Sequence, residues 1–165
     1  MNRIIFLIII AFCFTSTYNV GDKINPSHQN AEHEICYASN LDPNGDGVFQ
    51  FAELNGDING GDYYVTALEM SASWWPACYS NLSSFDNFVS QFASNDNVFI
   101  FSSLGDLNQP YSCYQWGAGG TSGMPLITDD TGFPLFNLFN TESLLPSTVF
   151  IDHTMTIFYQ ENLLV

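Results

Sequence analysis

Basic residues are almost missing from this chain of 165 residues: Arg3 and Lys23 stand against 17 Asp and Glu. With no basic patch to neutralise phosphates, nucleic acid is excluded as a direct partner. The same scarcity excludes attraction to an anionic membrane surface. Charge of either sign is thin, at 12% of residues where about 25% is usual. Long apolar runs are also wanting. Ile4–Phe14 is unbroken for 11 residues, too short for a helix crossing a hydrocarbon core of about 30 Å. No Ser-His-Asp arrangement, phosphate loop or dinucleotide fingerprint is present. What is abundant is apolar and aromatic: 46% and 16%, enough to rule out a disordered acidic tail. The length predicts one domain with a real core.

Met1-Asn2-Arg3 followed by Ile4–Phe14 and the small residues Thr15-Ser16-Thr17 has the layout of a secretory signal. Cleavage is expected near Thr17, giving a secreted or periplasmic protein with no membrane attachment thereafter. Removal takes Arg3 and no acid, so the mature chain carries 17 acids against Lys23, a formal −16. Such a surface favours solubility and says little about mechanism. Cys13 leaves with the signal, and Cys36, Cys78 and Cys113 remain. An odd count in an oxidising compartment signals a free thiol or a missing partner.

Residues 18–48 read as an N-terminal extension, an extended arm with a short strand near Glu34–Tyr37. Asp, Asn and Gly crowd 41–62 and mark turns, with Val48–Leu54 between them read as a strand. Tyr63–Met70 and Asn97–Leu104 read as buried strands. Between them Pro76–Ala93 reads as a helix, with Cys78, Leu82, Phe85, Phe88, Val89 and Phe92 at helical spacing. A short helix is expected within Asn108–Gly117, a strand at Pro125–Thr128 and a helical turn at Phe133–Phe139. Ser147–Asp152 and Met155–Tyr159 form a hairpin about His153-Thr154. Strands alternating with helices predict an α/β fold with a mixed sheet.

Leu68–Tyr79, LEMSASWWPACY, ends a strand in Ala-Ser-Trp and starts a helix with a cysteine in its first turn. This resembles the active-site junction of the thioredoxin-like superfamily, A-x-W-C-x-x-C-[KR], and most of all its secreted redoxins. Leu145–Asp152, LPSTVFID, resembles the family segment in which a cis-proline opens a strand facing the redox pair. The two matches order the stretch from Phe49 to Tyr159, and 49–165 reads as a thioredoxin-like domain: a mixed central sheet flanked by helices, the C-terminal helix short or missing. By this resemblance Trp74 matches the family tryptophan, Cys78 the resolving cysteine, Pro146 the cis-proline and Glu69 a buried proton acceptor. Trp74 and Pro146 would shape the substrate groove. Protein thiols or disulfides, or a peroxide, are the substrates implied, and no cofactor is required.

Trp75 stands where the attacking cysteine belongs, and indole cannot exchange disulfides. Three explanations compete: a redox-inactive member used for binding, chemistry through Cys78 alone or with Cys113, or a selenocysteine codon read as Trp. Cys78 itself reads either as the resolving thiol or as a small buried hydrophobe. The peroxiredoxin motif P-x-x-x-T-x-x-C is absent. A Cys36–Cys113 disulfide is one arrangement that leaves Cys78 as the odd thiol, although connectivity does not follow from sequence.

Asp42-Pro-Asn44-Gly-Asp46-Gly47 through Glu53 fits D-x-[DN]-x-[DN]-G-x5-E. Calcium takes hard oxygens, and in such a loop Asp42, Asn44, Asp46 and Glu53 supply side-chain ligands while Gly47 makes the sharp turn. The competing reading is a turn leading into the first strand. Phe49 at loop position 8, Asn55-Gly56 interrupting the following helix and the lack of a second loop favour that alternative. His28, His33 and His153 lack metal-ligand spacing and are expected at the surface or in turns.

Overall fold

The computed structural model of the chain describes residues 17–120, 124–140 and 142–162. The expected signal therefore lies, save Thr17, outside the described residues. The elements in chain order are α1 (Pro26–Gln29), β1 (His33–Tyr37), β2 (Val48–Phe49), α2 (Gly56–Asn59), β3 (Val65–Ala72) and α3 (Pro76–Phe92). They continue with β4 (Val98–Gly105), α4 (Cys113–Gly117), β5 (Ile127–Asp129), α5 (Pro134–Phe139), β6 (Ser147–Ile151) and β7 (Ile157–Asn162). Seven strands make one sheet in the order β2-β1-β5-β4-β3-β6-β7. β3 runs parallel to β4, and β4 to β5. β6, β7, β1 and β2 join antiparallel. This is the mixed sheet flanked by helices that the sequence predicts.

Side chains alternate across a strand, and β3 shows what that does here. Leu68 and Met70 enter a core with Phe101 of β4, Val149 and Ile151 of β6, and Leu135 and Phe139 of α5. Phe49, Phe51 and Phe101 meet in that core with ring centroids 4.4–5.8 Å apart. The opposite face meets α3 and α4, where Cys78, Leu82, Phe85, Leu104, Cys113, Trp116 and Ile127 pack. Glu69 and Ser71 belong to this second face, because they alternate with Leu68 and Met70.

Several expectations change. Val48–Leu54 is not one strand: β2 stops at Phe49 and Phe51–Leu54 is a 3-10 turn. Its cause is a capping box in which the Gln50 and Glu53 side chains satisfy each other's backbone N–H groups. The N-terminal extension packs onto the domain: β1 pairs with β5, and Tyr18 and Ile24 are buried in the first core. β7 runs on to Asn162 because its backbone stays in register with β6, Ser147 opposite Asn162. No helix follows β7 among the described residues. His33, expected at the surface, is buried between Phe49 and Phe51. No helix of the described residues is long and apolar enough to cross a membrane.

Candidate functional site

The site is built where β3 hands over to α3. Trp75 N donates to Ala72 O at 3.1 Å, closing a tight turn, and Trp75 then serves as the N-cap of the 17-residue α3. Pro76 follows in the first turn, where its fixed φ suits a helix start and its missing N–H costs nothing. Ser73 is buried and ties the turn to the segment after β4, donating to Asp106 O at 2.7 Å or to Gln109 O at 2.9 Å. Trp74 Nε1 donates to Asp106 Oδ2 at 2.6 Å, fixing one indole. Gly105 ends β4 as glycine for a steric reason: a Cβ there would fall 2.2 Å from the Phe133 ring.

Position 75 lies at the open end of α3, with 42% of its surface exposed. Unpaired N–H groups and the helix dipole favour negative charge there. Cys78 lies one turn along, only 1% exposed, and is the free thiol of the described cysteines. Burial pushes its thiol up to about 12, aided by the Glu69 charge and opposed by hydrogen bonds from the Ala72 and Cys78 backbone and from Ser71. For this thiol desolvation outweighs the helix terminus, so Cys78 is protonated at neutral pH.

Glu69 is 3% exposed. It accepts from Ser71 Oγ at 2.5 Å and from Ser102 Oγ at 2.7 Å. Burial raises its carboxyl above the ordinary range, and Ser71, Ser102 and Asn81 pull it partway back. Asn81 Nδ2 makes no hydrogen bond of normal geometry, so its influence is that of a nearby dipole. Asn81 is itself buried on α3; although Asn81-Leu82-Ser83 fits the N-glycosylation pattern N-x-[ST], its asparagine is not offered at the surface.

The Leu145–Pro146 peptide is cis, as the resemblance implies. Ser147 is opposite Met70, so Pro146 adjoins the end of β3 from which the junction departs. A groove of about 450 Å³ opens beside it, lined by Trp74, Trp75, Phe133, Phe136, Leu144 and Leu145. Asp130, buried, caps α5 by accepting from Leu135 N at 2.8 Å and Phe136 N at 3.2 Å, which holds that wall in place. Burial pushes Asp130 up to about 6.

The structure thus gathers Glu69, Trp74, Trp75, Cys78 and Pro146 around one junction. It joins Cys36 and Cys113 in a disulfide, Cα atoms 5.9 Å apart, binding β1 to the start of α4. Asp42, Asn44, Asp46 and Glu53 lie elsewhere, in the connection from β1 to β2 and the turn after it. No three His, Cys, Asp or Glu among the described residues form a ready metal cluster. Sequence reasoning missed Ser71, Ser102 and the Phe133–Phe136 wall. Ser71 was open to detection, since two residues past Glu69 on a strand means the same face. Ser102 and the wall depend on long-range pairing.

At the level of sequence no protein family and no curated protein matches the chain. Solved structures do match in shape. A secreted Mycobacterium tuberculosis disulfide oxidoreductase homologous to E. coli DsbE superposes with TM-score 0.61 at 12% identity, covering 86% of this chain and 89% of its own. A thiol:disulfide interchange protein of the thioredoxin family from Chlorobium tepidum gives 0.57 at 12%, covering 88% and 87%. A mutant of PrxQ from Xylella fastidiosa gives 0.60 at 16%, covering 88% and 86%. With identities this low the likeness concerns architecture, and the architecture is the thioredoxin fold.

Proposed function

We propose that the junction is a redoxin-type thiol–disulfide oxidoreductase site, with position 75 the attacking position and Cys78 the resolving thiol. The observation that carries this reading is the buried Glu69 beside the sealed Cys78. Among the described residues no cation bears on Glu69, and a buried carboxylate without one is costly to keep. It has an evident use as acceptor of the proton that Cys78 must lose. A thiol or selenol at position 75 would be exposed at a helix N-terminus, where its anion is favoured. That anion attacks one sulfur of a substrate disulfide and expels the other as a thiolate. Cys78 then passes its proton to Glu69, attacks the atom at position 75 and releases the second substrate thiol. The substrate gains two electrons, the 75–78 pair becomes oxidised, and a dithiol reductant restores it. The bridge between Cys36 and Cys113 is structural in this reading, and such a bridge suits an exported protein.

With Trp75 as written the first step has no nucleophile. A specific observation favours a second reading for that form: Trp74 and Trp75 wall an apolar groove, which suits capture of an extended apolar segment without exchange. Codon 75 separates the two, UGA against UGG, together with the mass of residue 75 in the protein from its source. Insulin reduction and peroxide consumption by the chain as written and by Trp75→Cys provide the functional test. The oxidoreductase reading expects activity in Trp75→Cys, none with Trp75, and a trapped mixed disulfide in Trp75→Cys/Cys78→Ala. A folded Trp75→Cys that neither reduces insulin nor forms the mixed disulfide refutes it.

A further inference from the structure

Asp42 is 91% buried, yet its Oδ1 has no partner. Its other oxygen, Oδ2, accepts from Gly47 N at 2.7 Å, which folds the carboxylate into the loop it begins. Eleven residues on, Glu53 Oε2 is also buried and unpartnered. Glu53 Oε1 accepts from Gln50 N at 3.0 Å and from Asn44 Nδ2 at 3.2 Å, so this carboxylate reaches back across the loop. Two buried carboxylate oxygens lacking a donor are expensive. No Lys or Arg lines the cleft of about 390 Å³ in which Asn44 and Glu53 meet Asn59 and Asp62.

The backbone supplies a further ligand. Gly47, at φ +88°, turns the chain. Ile35 N donates to Gly47 O at 3.3 Å. Antiparallel pairs alternate, so the next pair, Glu34 opposite Val48, is the non-hydrogen-bonded one. Val48 therefore turns its N–H and C=O away from β1, and its N–H meets Asp46 Oδ1 at 2.9 Å, inside the loop. The Val48 carbonyl faces the same way.

We infer that the loop from Asp42 to Glu53 binds one calcium ion through Asp42, Asn44, Asp46, the Val48 carbonyl and both oxygens of Glu53. An all-oxygen set with one amide, one carbonyl and one bidentate carboxylate suits calcium's six to eight flexible ligands better than magnesium's strict octahedron. Its three carboxylates, Asp42, Asp46 and Glu53, do not stand as a ready cluster, so the ion would have to draw them together. The ion would pin the β1–β2 connection and so fasten the N-terminal edge of the sheet. A lone loop of this type belongs to the weak range, with Kd on the order of 10⁻⁴ to 10⁻³ M.

Titration calorimetry and thermal unfolding of the full chain, with CaCl2 as the probe after EDTA treatment, test this. Calcium is expected to raise Tm by an amount that grows with the logarithm of its concentration. Glu53→Gln, which keeps the capping box, is expected to abolish the rise. If Glu53→Gln does not fold, the exposed Asp46→Ala takes its place and the same loss is expected. No calcium heat and no Tm change in the wild-type chain overturn the inference, as does an equal rise in the variants. An equal rise with MgCl2 at the same concentration overturns the assignment to calcium.

Discussion

Opening the bridge between Cys36 and Cys113 should cost this protein more than any change at the candidate site. The two residues are 77 apart in sequence, so the bridge closes most of the described chain into one loop. In the chain-entropy account a loop of that length restrains the unfolded state by about 4.5 kcal/mol at 25 °C. Replacing both cysteines by Ala also removes the Cys113 sulfur from the core around Trp116, on the order of 1 kcal/mol more. For a chain of this size the entropic part alone corresponds to a fall in Tm of about 9–18 °C. Urea unfolding of oxidised and dithiothreitol-reduced protein measures it, with alkylation confirming which cysteines have opened. The Cys36→Ala/Cys113→Ala variant should unfold identically with and without reductant, and Cys78→Ala should stay sensitive to it. A difference below about 1 kcal/mol between oxidised and fully reduced wild-type protein would refute the reasoning. The constraint would then act on an unfolded state already compact.

Two further predictions concern buried titratable groups. Burial lowers His33 from 6.5 to about 4. A depressed histidine contributes stability that is present above 6.5 and lost as pH falls towards 4, a gap worth about 3 kcal/mol. The stability difference between wild type and His33→Gln should follow that window, and an NMR titration of His33 with a midpoint near 6.5 would sink the account. Glu69 has the opposite sign. Its folded pKa is raised, so its contribution is full below the unfolded value and is lost as pH rises through the folded one. Glu69→Gln should therefore gain on wild type as pH increases, and a pH-independent difference in unfolding free energy would contradict the burial of an ionisable carboxyl. In the Trp75→Cys background the same substitution should slow release of the mixed disulfide and change its pH profile, which loss of packing alone would not do.

Much of the fold was legible because its central elements carry simple patterns. β3 and β4 are largely apolar and β-branched or aromatic at their starts, Val65–Leu68 and Val98–Phe101. α3 shows its buried stripe at Cys78, Leu82 and Phe85, with a proline at its start. The elements read less well are held by partners far along the chain. β2 gives way to a 3-10 turn because two side chains cap it, and the alternating pattern of Val48–Leu54 carries no sign of that competition. The polar end of β7, Gln160–Asn162, is strand because β6 supplies its ladder, against the low strand preference of those residues. At the candidate site the junction residues were visible as a motif. The groove's far wall was not, since Phe133 and Leu144 reach it through loops after β5 and before β6.

The state of Cys78 follows from the balance of two forces that the sequence shows separately. A helix N-terminus lowers a thiol, with an effect that fades within the first turn. Burial raises it without regard to direction. One turn separates position 75 from Cys78, and over that turn exposure falls from 42% to 1%. The two positions are thereby driven apart: an anion is favoured at 75 and a protonated thiol at 78, beside a carboxyl itself raised by burial. Such a division is what a two-step exchange requires, an attacker charged from the outset and a resolver that ionises only after substrate is bound. A packing role for Cys78 alone explains its burial and leaves the adjoining Glu69 with a desolvation cost that Ser71 and Ser102 offset only in part. Cys78→Val in the chain as written decides between them. If packing is its whole role, the variant should match wild-type stability within about 1.5 kcal/mol and leave the Glu69 ionisation unchanged. If thiol and carboxyl are coupled, the Glu69 midpoint must move when the thiol is gone.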